Sequence, residues 1–104
     1  MNAPGISVNH ACTSGFTALM VASQEGHAGV VRLLLEAPGI LGNLANEYGF
    51  TALMIASRNG YVDVVQALLL LPGIMVNDTP HSEGCTPLIL ASQRGHADVV
   101  RLLL

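Results

Sequence analysis

The residues best equipped for chemistry are Cys12 and Cys85, each with a histidine nearby: His10 two positions before the first and His81 four before the second. A thiol with an imidazole in reach is the minimal pair for nucleophilic catalysis, the ring taking the proton and the thiolate attacking. Such a pair also needs a third group to orient the base and an apolar pocket to exclude water. Both pairs sit in loop-like sequence with neither, so a cysteine-dependent enzyme is the remote reading and no catalytic residue is expected. His27 and His96 are potential metal ligands, but zinc sites bring Cys or His in close pairs, or at i and i+4 on one helix, and these two are far apart in the chain. A histidine packed at a turn is the better reading. With neither G-x-G-x-x-G nor G-x-x-x-x-G-K-[ST] in the sequence, no cofactor is expected.

The charge pattern excludes other partners. Lysine is absent, and four arginines (Arg32, Arg58, Arg94, Arg101) face seven acidic residues, which leaves no basic stripe to neutralise phosphates. Nucleic acid is therefore not an expected partner. No apolar run approaches the ~20 residues that span a bilayer, and the N-terminal stretch lacks the basic and apolar regions of a signal peptide, so no membrane association is expected. Half of the residues are apolar (51%), which argues against disorder.

What must position any functional residue is a repeated unit. Gly15–Leu35 reads GFTALMVASQEGHAGVVRLLL, Gly49–Leu69 reads GFTALMIASRNGYVDVVQALL, and Gly84–Leu104 reads GCTPLILASQRGHADVVRLLL. Pro-Gly-Ile recurs at Pro4, Pro38 and Pro72, followed at constant offset by Asn9, Asn43 and Asn77. The step is 34 residues, with one extra residue between Asn77 and Gly84. A fixed period of this size means stacked modules. The boundaries fall at approximately 9–42, 43–76 and 77–104, partial at both ends, within a single domain of residues 1–104.

Each unit reads as two short helices and a connection. Thr17, Thr51 and Thr86 occupy the N-cap of the first helix, and Pro87 stands at its first position, where a missing N–H is harmless. Gly26, Gly60 and Gly95 supply the left-handed residue that ends it. Leu19, Ala22 and Ser23 face inward. The second helix runs over about 28–36, 62–70 and 97 onward, with Val30, Val31, Leu34 and Leu35 as its apolar face. Pro38 and Pro72 stop it, and the segment from Ile40 to Gly49 forms an extended, hairpin-like loop. Met20, Met54 and Met75 are read as core filler. No unit can bury its apolar faces alone, so neighbours must stack. Stacking holds Cys12 and Cys85 two repeats apart, beyond the ~7 Å Cα limit of a disulfide. Thiols so placed suit a reducing compartment, and an intracellular, cytoplasmic protein is expected.

The pattern G-x-T-[AP]-L-x-x-A-S-x-x-G-[HY]-x-x-V-V-x-x-L-L resembles the ankyrin repeat, with G-x-T-P-L-H at its hairpin-to-helix junction. The likeness implies an all-α, ankyrin-type solenoid of stacked helix-turn-helix repeats joined by hairpin loops. The departures are the longer step, Pro-Gly-Ile in place of Gly-Ala, and Met20, Met54 and Ile89 where the family has histidine. Family likeness further implies a non-catalytic protein–protein interaction scaffold that binds a polypeptide through its hairpin tips and concave groove. The copies diverge there: the tips carry Phe16, Glu47, Tyr48, Phe50, Ser82 and Glu83, and the ends of the first helices carry Gln24, Glu25, Arg58, Asn59, Gln93 and Arg94. These are the expected partner-binding residues, with Phe16, Tyr48, Phe50, Arg58 and Arg94 foremost because aromatic and arginine side chains dominate interface energetics. The competing expectation is that Phe16 and Phe50 fold back on neighbouring hairpins and stiffen the row. A structural spacer without a partner of its own is the alternative function. Apolar sequence at both ends suggests an excerpt from a longer array or, second, pairing of the end faces between molecules.

Overall fold

The computed structural model describes residues 5–77 and 84–104. Six α-helices follow one another: α1 (Ala18–Glu25), α2 (Ala28–Leu35), α3 (Ala52–Asn59), α4 (Val62–Leu69), α5 (Pro87–Gln93) and α6 (Ala97–Leu103). Each odd-numbered helix begins as its sequence dictates. Thr17, Thr51 and Thr86 are extended, and their side-chain oxygens accept the Met20, Met54 and Ile89 amides at 3.3, 3.2 and 3.2 Å. Each closes on a left-handed glycine, after which the His27, Tyr61 and His96 amides donate back to the Ala22, Ala56 and Ala91 carbonyls. The even helices end one residue short of the expected limit, with Glu36 and Leu70 as their caps.

The connecting loops hold less sheet than a hairpin suggests. Isolated bridges join Ala11 to Thr17 and Ala45 to Thr51, and among the described residues no strand forms. The fold is all-α. In its two layers α1 packs on α3 and α3 on α5, while α2 packs on α4 and α4 on α6, giving a body of 41 × 25 × 23 Å.

Burial tracks position in the stack. Val64 and Val99 are fully buried, whereas their equivalent in the first repeat, Val30, is 48% exposed. The next valine reverses the order: Val31 and Val65 are buried and Val100 is only half-buried. One valine of each pair therefore faces the preceding repeat and the other the following one. This corrects the expectation that Val30 is buried, since its side chain reaches toward a place no described repeat fills. Met20 and Met54 fill the core as expected, but Met75 is half-buried in the loop after Pro72 and lies outside it. Leu71 is half-buried, its Cδ2 seated where a Cβ on Gly42 would stand, so this glycine makes room for the leucine of the next repeat.

Ser23 and Ser57 are fully buried, and their hydroxyls have no hydrogen-bond partner. Ser92, exposed at the same register, bonds back to the Leu88 carbonyl at 2.7 Å. A buried polar group left unpaired costs roughly 1–3 kcal/mol. Ser57→Ala, removing that hydroxyl from a helix of small inward residues, should therefore leave stability unchanged or raise it by up to about 1 kcal/mol. Urea denaturation checks this, and a loss would show that the hydroxyl is bonded in solution.

Candidate functional site

The first two loop tips are tied together by the backbone. Glu47 N–H donates to the Ser14 carbonyl at 2.9 Å, across one repeat step, and Gly15 lies against the backbone of Asn46 and Glu47. Asn46 shapes the second tip: its buried side-chain oxygen accepts the Tyr48 and Phe50 amides at 2.9 and 3.1 Å. This pins the chain so that Tyr48 projects outward, 64% exposed, with its hydroxyl 3.5 Å from Ser14 Oγ. Phe16 and Phe50 are half-buried against the core. Both rest on the core, and neither is fully covered.

Over Phe50 lies Arg58, its guanidinium carbon 5.0 Å from the ring centroid. A cation on an aromatic face at a partly exposed site is worth ~0.5–1 kcal/mol. The ring gives the guanidinium a fixed neighbour. Among the described residues no carboxylate pairs with the guanidinium; the ion pair found there is Arg101–Asp98 on α6.

Between the loops and the ends of α1 and α3 lies a groove of about 380 Å³, lined by Phe16, Gln24, Asn46, Tyr48, Phe50, Ile55 and Arg58. Five expected residues thus meet around one concavity. Asn59 stands beside it, its amide donating to the Gln24 carbonyl at 3.3 Å, so its contribution is to link repeats. Glu25, Glu47, Gln93 and Arg94 are exposed and are not among the groove's lining residues. Ser82 and Glu83 lie outside the described residues, as does His81. Asn46 and Ile55 were not singled out from sequence. Asn-x-x-Gly at the tip is the signal for an Asn-stabilised turn; Ile55 gives none, since its spacing is that of a core residue.

Exposed Cys12 places its thiol 3.6 Å from the Thr13 carbonyl, and Cys85 is half-buried just ahead of α5. His96 is a packing residue: its ring lies over Gly60 and its Nε2 is 2.9 Å from the Arg58 carbonyl oxygen. Among the described residues no group of three or more His, Cys, Asp or Glu could hold a metal ion. No helix among them is long and apolar enough to cross a membrane.

A family model described as "Ankyrin repeats (3 copies)" matches residues 2–79 and, overlapping them, 43–104. The chain belongs to the ankyrin-repeat family. A search of curated proteins found no match. Ankyrin repeats are generally protein–protein interaction modules and typically not enzymes. In this ankyrin array the groove lies on the face formed by the loops and the odd-numbered helices.

Proposed function

We propose that this ankyrin array is a non-catalytic scaffold that holds a polypeptide partner in the groove between its loop tips and first helices. The observation that carries this reading is the convergence of Phe16, Tyr48, Phe50 and Arg58 on one concavity. A polypeptide laid there covers the ring edges and finds, in the stacked guanidinium, a preoriented donor for a carboxylate or carbonyl. Burial of a few aromatic and arginine groups accounts for most affinity in interfaces of this kind.

The test is selection of binders from a displayed random-peptide library, followed by affinity measurement with variants. Tyr48→Ala and Arg58→Ala should each weaken the selected peptides by roughly tenfold or more, while Arg101→Ala on α6 leaves affinity unchanged. Binding indifferent to Tyr48 and Arg58 would move the interface elsewhere. Failure to select any peptide would favour a spacer that contacts nothing itself.

A further inference from the structure

We infer, resting on that reading of the groove, that it selects an acidic segment: Arg58 reads one aspartate or glutamate side chain of the polypeptide, beside an apolar side chain laid on the aromatic rings. Of the groove's described lining residues Arg58 alone carries a formal charge. Its backbone is held from both sides. The Asn59 amide donates to the Gln24 carbonyl of the preceding repeat, and His96 of the following repeat sets its Nε2 2.9 Å from the Arg58 carbonyl oxygen. With the Phe50 ring against the guanidinium, the cation has a fixed root and a fixed neighbour. It is half-buried and no carboxylate of the described residues pairs with it, so an anion from outside completes it.

The surroundings decide the form of the anion. A free chain end is captured by backbone N–H groups gathered into a nest, and the second loop tip offers none. There the Glu47 amide is taken by the Ser14 carbonyl, those of Tyr48 and Phe50 by the Asn46 side-chain oxygen, and that of Gly49 by the Asn46 carbonyl. A phosphorylated residue calls for a cluster of arginines, whereas the groove's described lining holds Arg58 alone. Its margins oppose so dense a charge: exposed Glu25 follows Gln24 in α1, and exposed Glu47 separates Asn46 from Tyr48. The chain's net charge of −3 gives no general attraction for acids, so the preference is local. What fits is a single side-chain carboxylate met by the planar guanidinium, with neighbours that are not themselves acidic.

Peptides selected on the chain from a displayed random library should share an aspartate or glutamate at one position next to an aromatic or aliphatic residue, with no second acid nearby. Exchanging that acid for its amide in a synthetic peptide should weaken binding by roughly tenfold or more. Arg58→Gln, its fold verified by circular dichroism, should bind the two peptides equally, and Arg58→Glu should favour a lysine at that place. Amidating the peptide's C-terminus should change nothing. Tyr48→Ala should weaken both peptides while keeping the preference for acid over amide. Selected peptides that need Tyr48 yet share no acid, or whose acid is indifferent to Arg58, overturn the acidic preference and leave the groove as the site. An effect of amidation assigns the carboxylate to a chain end and overturns it too. Peptides indifferent to Tyr48 and Arg58 alike, or no peptides at all, remove the groove as the site and the preference with it.

Discussion

Gly60→Ala should destabilise the protein by roughly 2–3 kcal/mol, and the chemically identical Gly95→Ala by only about 1 kcal/mol. Both glycines are left-handed, at φ +78° and +73°, so both substitutions incur the same backbone strain. Their surroundings differ. A Cβ on Gly60 would come 2.5 Å from His96 Nδ1, and the ring cannot yield without giving up its 2.9 Å contact to the Arg58 carbonyl. A Cβ on Gly95 would meet nothing within 4 Å. Urea midpoints of the two variants therefore separate strain within a repeat from contact between repeats. His96→Ala should bring the cost of Gly60→Ala down to that of Gly95→Ala, a coupling that a double-mutant cycle reads directly. Equal costs in the parent background would mean that the ring does not rest on the glycine in solution.

What the sequence disclosed, and what it withheld, divides along the same line between local and inter-repeat physics. Thr17, Thr51 and Thr86 could be read as caps because an N-cap needs only its own first turn, and the closing glycines because a left-handed residue is a local demand. The period made stacking legible, and the ankyrin pattern named the stack. Direction within it was not legible. Val30 and Val31 are identical side chains on adjacent positions, and only the placement of neighbouring repeats makes one exposed and the other buried. Asn9, Asn43 and Asn77 showed their constant offset in the sequence, yet the role of Asn9 and Asn43 as clamps depends on carbonyls and amides some 30 residues away that side-chain patterns cannot reveal.

The binding face shows the same division. Divergence among copies pointed to the tips and the first-helix ends, and the groove does gather Phe16, Gln24, Tyr48, Phe50 and Arg58. It omits Arg94, which stands one position further along its repeat than Arg58, whose own register is held there by Gln93. Arg58 has an aromatic ring, Phe50, on which to lie; where repeat two has Phe50, repeat three has Cys85. Sequence marks a residue as unconstrained by the core, but whether it is held in place depends on a neighbour that differs from copy to copy.

The second large effect concerns the core itself. Leu53→Ala should cost about 3–4 kcal/mol, within the range for a buried leucine truncated in a well-packed interior. Leu53 is fully buried in α3, which packs against α1, α4 and α5. Leu88 occupies the same register in α5 and is half-buried, so Leu88→Ala should cost about half as much. A domain of this size is stable by ~5–15 kcal/mol, so the central substitution removes a large fraction of the total. Because stacked repeats hold together through nearest-neighbour interfaces, a defect in the middle unit weakens both interfaces at once, whereas one in the last unit weakens a single interface. Leu53→Ala should accordingly lower the urea m-value as well as the midpoint, as the end repeats begin to unfold separately, while Leu88→Ala shifts the midpoint alone. Equal costs for the two leucines, with unchanged m-values, would mean that the three repeats do not share the continuous interior on which the groove's geometry depends.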